Sequence, residues 1–314
     1  MLKIAIQMDP IQSVDVNADT TFDMALEAHS RGHGVLVYQP EGLQLNGNDV
    51  LARARAVEAI QRKQGDHVQL GAPVVTSLRE VDVVLIRQDP PFDMAYITAA
   101  QMLERLVPDV LVLNDPRAIR DAPEKLFVTE FQDLTPPTLI TSDLSAVREF
   151  RSVHNDVIIK PLYGNGGAGV FRMRPDDGNF NALLELFEQS FREPMIAQKF
   201  IPAVTKGDKR IILLDGEAVG AINRVPAAGE TRSNMHVGGK AEPVEMNERD
   251  QEICDRIGPV LSQRRLVFAG IDVIGDYLTE INVTSPTGVQ EVRRFGGADI
   301  SALFWDWVEG QRDG

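Results

Sequence analysis

The sequence predicts a parallel α/β domain followed by an α+β region that is built on antiparallel hairpins. Before about residue 116, short apolar runs alternate with amphipathic segments, which is the pattern of strands joined by helices that cover both faces of a parallel sheet. Beyond that point, neighbouring apolar runs are joined by tight turn signals such as Asp215-Gly216, which are typical of β-hairpins. The two parts therefore differ in how their strands are connected.

The first part contains four predicted strands and two predicted helices. The strands are KIAIQM (3–8), VLVY (35–38), VDVVLIR (81–87) and VLVLNDP (110–116), and the helices are TFDMALEAHSRGHG (21–34) and DMAYITAAQMLERL (93–106). The first helix places its apolar residues on one face and ends on glycine. Residues 45–70 fit either excursion strands or a charged surface helix, and the sequence leaves both alternatives open.

The second part begins with a predicted helix over residues 120–131 and an extended link over residues 134–142. Helices follow at 144–153, 182–191 and 247–265, strands at 157–162, 169–173 and 194–201, and hairpins at 209–226 and 268–286. Asn247 is the predicted N-cap of the helix at 247–265. Cys254 is expected to be a small buried hydrophobe of this helix, and Trp305 and Trp307 are expected to pack a C-terminal helix or an oligomer contact.

Charge and composition exclude several classes of protein. The chain has 314 residues and a formal net charge of −14, which argues against a nucleic-acid-binding surface. No run of about 18 apolar residues occurs, so no membrane span is predicted, and the N-terminus MLKIAIQMDP lacks the basic leader of a signal peptide. Cys254 is the single cysteine, so an internal disulfide is impossible and the cytoplasm is the expected location.

A glycine-rich stretch, IIKPLYGNGGAGVF (158–171), has the composition of a phosphate-binding loop. Strand residues follow it, whereas the familiar nucleotide loops run into a helix. A glycine loop at the tip of two antiparallel strands would be a flap that lies over phosphates, because glycine lets backbone N–H groups approach the oxygens closely. A glycine-rich hairpin turn without a ligand is the alternative, and this stretch alone favours neither.

Acidic and amide side chains near the C-terminus suggest a metal site. Glu280 and Asn282 lie two residues apart on a predicted strand and therefore share a face. Asp272 lies on the preceding strand and joins that face if an odd number of residues separates the strands, for example the three residues 275–277. Two carboxylates and an amide oxygen suit magnesium held partly by phosphates. The alternative, a polar strand facing solvent, fits poorly because the flanking residues are apolar.

Several cations adjoin these elements. Lys160 ends the strand that enters the glycine loop, and Arg210 follows Asp208-Lys209 at the start of the strand RIILLD. Lys125 lies in a predicted amphipathic helix, and Arg224 ends the strand that pairs with RIILLD. Most of the 32 cations are expected to be solvated, but Lys160 and Arg210 each adjoin a candidate phosphate-binding element.

These residues occur in the order found in ATP-grasp ligases, which the sequence resembles. The segments MDP, RQDPPFD, EKLF, LTPPTLIT, GDKRIILLDGE, GETRSN and TEINVTSPTG together resemble the bacterial glutathione synthetases. The resemblance extends from Met8 to about Gly288 and is weakest over residues 45–80 and in the C-terminal tail. DPPFD and EINVTSPTG are the segments most specific to that family.

The resemblance implies a fold, a reaction and a set of partners. It implies an N-terminal α/β substrate domain (1–122, a pre-ATP-grasp domain), a small α+β subdomain with the glycine flap (123–201), and a C-terminal α+β subdomain with the metal site and a mobile loop at 225–243 (202–314). It also implies ATP-dependent ligation of γ-glutamylcysteine and glycine through an acyl phosphate, with Mg²⁺ or Mn²⁺. A homo-oligomer that binds neither nucleic acid nor membrane is expected.

The resemblance also assigns roles to individual residues. Catalysis falls to Arg210, Lys160 and Arg232, the last as the contact residue of the loop that closes over the site. ATP is expected at Lys125, Lys160, Gly164, Gly166, Gly167, Gln198, Lys199, Phe200, Ile201 and, for the ribose, Asp208. The peptide is expected at Arg210, Arg224, Asn282 and Ser285, and the metal at Asp272, Glu280 and Asn282.

Two other functions compete with this interpretation. One is another ATP-grasp ligase that joins a different carboxylate to a different amine. The other is a nucleotide-binding regulatory module that no longer turns over. The substrate segments RQDPPFD and NVTSPTG weigh against the first alternative, and the full set of charged site residues weighs against the second.

Overall fold

The computed structural model describes residues 1–227, 229–230, 232–233 and 238–311. The predicted mobile loop at 225–243 includes residues 228, 231 and 234–237, which lie outside the described residues. Three separate sheets organise the described part of the chain, and helices pack against them. The predicted class, an α/β domain followed by an α+β region, is confirmed.

The first sheet lies in the N-terminal part and is mixed. Its strands are β1 (Lys3–Gln7), β2 (Gly34–Tyr38), β3 (Leu43–Asn46), β4 (Asp49–Ile60), β5 (Val68–Leu70), β6 (Val74–Ser77), β7 (Val83–Ile86) and β8 (Leu111–Leu113). Strands β2, β1, β7 and β8 are parallel neighbours, as the sequence predicts. Strands β3 to β6 extend this sheet by antiparallel pairing. Of the two alternatives for residues 45–70, the excursion strands are correct.

Four α-helices of the described residues lie in this part, and side chains supplied by the sequence cap the first three of them. They are α1 (Thr20–Ser30), α2 (Met94–Leu103), α3 (Pro116–Asp121) and α4 (Glu124–Phe127). Asp93 caps α2 by accepting from the backbone N–H of Tyr96. The single helix predicted over residues 120–131 is wrong: it is interrupted at Ala122 and Pro123, because proline cannot donate the helical hydrogen bond. Lys125 therefore lies in a one-turn helix.

The second sheet is antiparallel and carries the glycine loop. Its strands are β9 (Thr138–Thr141), β10 (Val157–Pro161), β11 (Phe171–Met173) and β12 (Met195–Lys199), in the order β11-β10-β12-β9. Helices α5 (Leu144–His154) and α6 (Phe180–Ser190) cover it. The extended link predicted over residues 134–142 is in fact the edge strand β9, which pairs with β12.

The third sheet is also antiparallel and carries the acidic residues. Its strands are β13 (Asp208–Leu214), β14 (Glu217–Val225), β15 (Lys240–Pro243), β16 (Phe268–Ile274) and β17 (Tyr277–Asn282), in the order β15-β14-β13-β16-β17. The predicted turn Asp215-Gly216 joins β13 to β14, and both residues have the positive φ (49° and 86°) that such a two-residue turn requires.

The remaining α-helices of the described residues come after β15. They are α7 (Glu248–Gln263), α8 (Val289–Arg294) and α9 (Ile300–Gly310). Asn247 caps α7 in a capping box with Asp250, as predicted. Cys254 is buried in α7, and burial raises the pKa of its thiol to about 12. Trp305 is fully buried and donates to the carbonyl of Met24, so α9 packs on the N-terminal part. None of the described helices is long and apolar enough to cross a membrane.

Candidate active site

A cavity of about 550 Å³ lies between the second and third sheets, next to the N-terminal part of the chain. The glycine loop and β12 form one wall, and the faces of β13, β16 and β17 form the opposite wall. The N-terminal part contributes Asp89 and Pro90. Every site residue named from the sequence lines this cavity, so the structure brings the whole predicted set together.

The glycine loop is a hairpin tip. Strand β10 pairs antiparallel with β11, with Val157 opposite Met173, and no helix follows the loop. A Cβ atom at Gly164 would approach Pro161 Cγ to 2.5 Å, and Gly167 has a φ of 81°, so both positions require glycine. The loop therefore has the geometry of a flap whose backbone can lie close to a ligand.

The three predicted metal ligands share one face of the third sheet. Asp272 lies opposite Glu280, and Gly270 lies opposite Asn282. The connection between β16 and β17 that produces this register differs from the expected three-residue connection. The turn has two residues, Gly275 and Asp276, and a β-bulge at Thr279 supplies the extra residue that returns Glu280 to the face of Asp272. The hydroxyl of Thr279 donates to the carbonyl of Asp272 at 3.1 Å.

Four charged residues of this sheet form what we call the arginine cluster: Arg210, Arg224, Asp208 and Asp272. The guanidinium of Arg210 donates two hydrogen bonds to Asp272, at 2.6 and 3.1 Å. Arg224 Nη2 lies 2.6 Å from Asp208 Oδ2 and 2.9 Å from Asp272 Oδ2. All four side chains are buried, so these charges interact with little screening by water.

The two carboxyl groups of the arginine cluster have different acidities. Burial opposes ionisation of Asp272, but Arg210 and Arg224 outweigh it and hold its pKa well below the usual range. Burial raises the pKa of Asp208 to about 6, because Arg224 offsets only part of the desolvation and Asp272 and Glu280 add repulsion. The two carboxyl groups therefore titrate in different pH ranges although they share one arginine.

A second group, which we call the lysine cluster, contains Lys125, Lys160 and Glu280. Each ammonium lies 3.5 Å from Glu280 Oε1, and Lys125 Nζ also donates to the carbonyl of Gly164 at 2.5 Å and contacts Glu124. Burial opposes ionisation of Glu280, but the two lysines lower its pKa. Burial also lowers the pKa of Lys125, because the nearby Lys160 reinforces desolvation while Glu280 opposes it.

Aromatic packing supports the part of the cavity wall that residues 198–201 form. Phe200 is buried in the segment 198–201, and its ring lies 3.5 Å from the guanidinium carbon of Arg172. Arg172 donates two hydrogen bonds to Asp156, whose carbonyl in turn accepts from the N–H of Phe200 at 2.9 Å. This part of the cavity can accommodate a flat apolar ring beside backbone groups.

Residues of the segment after β14 reach both walls. Arg232 pairs with Glu230 at 2.6 Å, and its Nη1 lies 3.5 Å from the carbonyl oxygen of Gly167 in the flap. Ser233 is buried and donates to Asp208 Oδ2 at 2.8 Å. His236, which the sequence places in the same loop, lies outside the described residues.

Unpartnered polar atoms indicate that the cavity is built for polar ligand atoms. Asp208 Oδ1, Arg224 Nε and Asn282 Nδ2 are buried and have no hydrogen-bond partner among the described residues. Such atoms are rare in folded proteins because desolvation costs about 1–3 kcal/mol each. Over the same part of the chain, no three His, Cys, Asp or Glu side chains form a metal-binding group. A cation held by Asp272 and Glu280 would therefore need amide or phosphate oxygens as further ligands, which suits a hard divalent ion.

Sequence reasoning missed several lining residues. They are Asp89, Pro90, Glu124, Ile158, Pro161, Asn165, Ala168, Val170, Val204, Ser233, Ile274, Thr279, Thr284, Pro286 and Thr287. Asp89 and Pro90 lie in RQDPPFD, where an acid between a buried strand and two prolines was an available signal. Ser285 lines the cavity as expected, and its hydroxyl donates to the carbonyl of Arg87 at 3.2 Å.

The fold and the cavity define the class of protein. The chain superposes on D-cycloserine synthetase DcsG with a TM-score of 0.69 at 13% identity, covering 98% of this chain and 99% of that one. It superposes on the ATP-grasp ligase PsnB, complexed with a precursor peptide and AMPPNP, with a TM-score of 0.63 at 17% identity, covering 99% and 98% of the two chains. With a glycine flap opposite a sheet face that carries acids and arginines, the molecule has the ATP-grasp fold.

Sequence comparison defines the family. Residues 2–120 match the model of the prokaryotic glutathione synthetase N-terminal domain, and residues 124–297 match that of the prokaryotic glutathione synthetase ATP-grasp domain. The chain belongs to the prokaryotic glutathione synthetase family. It is 58% identical to the glutathione synthetase of Mesorhizobium japonicum (99% of each chain) and 56% identical to that of Agrobacterium fabrum (99% of this chain, 97% of that one). The glutathione synthetase of Shewanella oneidensis is 40% identical over 98% of both chains. The chain is thus an ATP-dependent ligase that uses a divalent metal, as members of this family do.

Proposed function

We propose that this chain joins γ-glutamylcysteine to glycine, forming glutathione, ADP and phosphate through an acyl phosphate. One observation carries the proposal. A single cavity in a chain of this family contains a glycine flap, two buried lysines, two buried arginines and a row of carboxylates. Negative charge concentrates on the transferring phosphoryl group and then on a tetrahedral oxyanion, and these cations are placed to stabilise it.

The nucleotide would lie between the flap and the third sheet. The backbone groups of residues 198–201 would bind the edge of the base, and Phe200 would pack beside it. Asp208 would reach the ribose. Lys125, Lys160 and the backbone of Gly164, Gly166 and Gly167 would bind the phosphates. In this arrangement the side chains exclude water and orient the γ-phosphate toward the arginine cluster.

The peptide would lie at the arginine cluster. Arg224, Asn282 and Ser285 would hold its carboxylate and amide groups, and Arg210 would face the cysteine carboxylate that becomes the acyl phosphate. The amine of glycine then displaces phosphate. Arg232, which reaches the flap carbonyl of Gly167, would help to shield this intermediate from water.

Asp272, Glu280 and Asn282 would hold the metal, which we propose is Mg²⁺. When bound, it would neutralise charge on the terminal phosphates. Asp272 pairs with Arg210 and Arg224, so these residues form one connected charge network with the proposed ligands. We also propose that the enzyme works in the cytoplasm as a homo-oligomer.

The test measures ADP release and product identity together. ADP formation should require both γ-glutamylcysteine and glycine, and mass spectrometry should find the tripeptide. Omission of glycine and replacement of either substrate by other amino acids and dipeptides are the controls. ADP release without a tripeptide, or faster turnover with another carboxylate–amine pair, would contradict the substrate assignment.

A further inference from the structure

The carboxylates that line the cavity differ in whether they are paired. They are Asp89, Glu124, Asp208, Asp272 and Glu280. The last four each contact a lysine or arginine of the cavity. Asp89 is the exception: its carboxylate makes no hydrogen bond or ion pair with any residue that the structure describes. The cavity therefore presents one carboxylate that makes no direct contact with a cation, and the buried guanidinium of Arg87 interacts with it only electrostatically.

The backbone around Asp89 is well anchored. Its N–H donates to Asp9 Oδ2 at 2.9 Å, and the residues before it are the buried Arg87 and Gln88. The guanidinium of Arg87 donates to the carbonyl of Pro286 at 3.1 Å, and Pro286 lines the same cavity. Two prolines follow Asp89 and restrict the chain further. Asp89 is therefore an exposed carboxylate on a backbone whose position is fixed against the peptide end of the cavity.

An unpaired carboxylate is unfavourable in a site that binds anions. ATP and both carboxylates of γ-glutamylcysteine carry negative charge, and Asp89 would repel each of them. The dipeptide also carries one positive group, the α-ammonium of its glutamyl part. We infer that Asp89 binds this α-ammonium and thereby selects a γ-glutamyl substrate. The inference deepens the proposed function and rests on it.

The amine of glycine is the other positive group among the substrates, but it suits Asp89 poorly. An adjacent carboxylate favours the protonated form of an amine. Protonated glycine has no lone pair with which to attack the acyl phosphate. A carboxylate at the attacking amine would therefore slow the reaction, whereas at the glutamyl ammonium it binds a group that stays charged throughout.

The experiment compares two substrates in two enzymes. The second substrate is glutarylcysteine, in which hydrogen replaces the α-amino group of γ-glutamylcysteine. The wild-type enzyme should prefer γ-glutamylcysteine in kcat/KM by roughly ten- to a hundredfold, the range for a hydrogen bond between charged groups. In Asp89→Asn this preference should shrink to a few-fold, while the KM values of ATP and glycine should stay unchanged.

Two further variants keep the test sharp. Asp93→Asn removes a negative charge from the same loop, and asparagine keeps the cap that Asp93 provides for α2. This variant should prefer γ-glutamylcysteine over glutarylcysteine as strongly as the wild-type enzyme does. Asp89→Glu keeps the charge and should retain part of the preference. If Asp89→Asn discriminates as the wild type does, or raises the KM of glycine instead, the inference is overturned. If the wild-type enzyme makes no glutathione at all, the proposed function itself fails.

Discussion

The lysine cluster and the arginine cluster lie in one cavity but are assembled differently. In the arginine cluster the contacts are 2.6–3.1 Å and one of them is bidentate. In the lysine cluster both ammonium groups lie 3.5 Å from Glu280. Arginine offers a rigid planar fork that matches a carboxylate, whereas lysine is a point charge on a flexible stem. The arginine cluster is thus preorganised, and the lysine cluster can rearrange around a phosphate.

The origin of the difference is the topology of the sheets. Asp208 lies directly opposite Arg224, and Arg210 lies opposite Asp272, so the arginine cluster is a set of cross-strand pairs within one sheet. Lys160 comes from β10 and meets Glu280 of β17 across the cavity, whereas Lys125 comes from α4, which packs directly against β17. A movement of the second sheet that opens the cavity should separate Lys160 from Glu280 and leave the arginine cluster intact.

The largest effect is expected at Glu280, which contacts both lysines of the lysine cluster and is a proposed ligand of the metal. Glu280→Gln removes a proposed metal ligand and the shared counter-ion of Lys125 and Lys160. Turnover should fall by about a thousandfold or more, because loss of a metal ligand costs several kcal/mol of transition-state stabilisation. The melting temperature should fall as well, because two buried lysines lose their shared counter-ion, but the loss of turnover should be much the larger effect. Steady-state kinetics at saturating Mg²⁺ beside a melting curve check this.

Asn282→Ala is the companion variant for the metal site. It removes the amide but no charge from the lysine cluster, so its loss of turnover should be smaller than that of Glu280→Gln. Its folding should be preserved, because Asn282 Nδ2 has no hydrogen-bond partner among the described residues. Wild-type kcat in either variant at saturating magnesium would contradict the assignment of the metal to this face.

The next effect tests whether the arginine fork is needed. Arg210→Lys keeps the charge but loses the two-pronged contact with Asp272, so we expect kcat to fall roughly ten- to a thousandfold, the range for one donor to a developing oxyanion. Nucleotide affinity should stay nearly unchanged. Calorimetric titration of ATP beside steady-state kinetics gives both quantities. A normal kcat with poor ATP binding would move Arg210 from the reacting centre to the nucleotide pocket.

A pH experiment tests the different acidities within the arginine cluster. The pKa of Asp208 is raised from 3.8 to about 6, so folding costs free energy as the pH rises through this interval and buried Asp208 must ionise. Asp272 has the opposite shift, and its contribution is lost only as the pH falls below about 4. Between about pH 4 and 6, Asp208→Asn should therefore gain stability relative to the wild type, by at most about 1.4 kcal/mol per pH unit.

Urea unfolding of both proteins at several pH values measures this difference. Asp66→Asn is a suitable control, because Asp66 is exposed on the surface and its lowered pKa, caused by its hydrogen bond to Lys63, predicts a dependence of opposite sign at lower pH. A constant stability difference between the wild type and Asp208→Asn over this range would show that Asp208 ionises normally in the folded protein.

Sequence reasoning recovered the order and type of most elements, since apolar alternation and turn residues are local signals. It failed where the contact that determines an element's structure comes from a residue far away in the sequence. Strand β9 follows two prolines and shows no alternation of burial, so it resembles a link; its pairing with β12, more than 50 residues away, makes it a strand. The helix around residues 120–131 failed for a local reason that was visible, because Pro123 lacks the N–H of a helix interior.

The site shows the same division between local and distant information. Residue types and spacing placed Glu280 and Asn282 on one face, and Asp272 beside them only if the connection had an odd number of residues. The bulge at Thr279 that meets this condition leaves no signature in the sequence. The pairing of Asp272 with Arg210 and Arg224 depends on strand register, which a hydrophobic pattern fixes only once the partner strands are known. The contact of Ser233 with Asp208 joins a loop to a strand and could not be predicted.

The smallest effect is expected from loss of the hydrogen bond between Ser233 and Asp208. This loss tests whether the arginine cluster depends on any residue outside its sheet. Ser233→Ala removes the hydroxyl that donates to Asp208 Oδ2 at 2.8 Å, while Arg224 keeps its contact with the same oxygen at 2.6 Å. Losing one hydrogen bond to a charged acceptor costs about 1.5 kcal/mol, so kcat/KM should fall by about tenfold at most. Ser233→Thr keeps the hydroxyl and should retain most of the activity. If Ser233→Ala is as damaging as Arg210→Lys, cross-strand pairing alone does not hold the cluster, and the segment around Ser233 is part of its support.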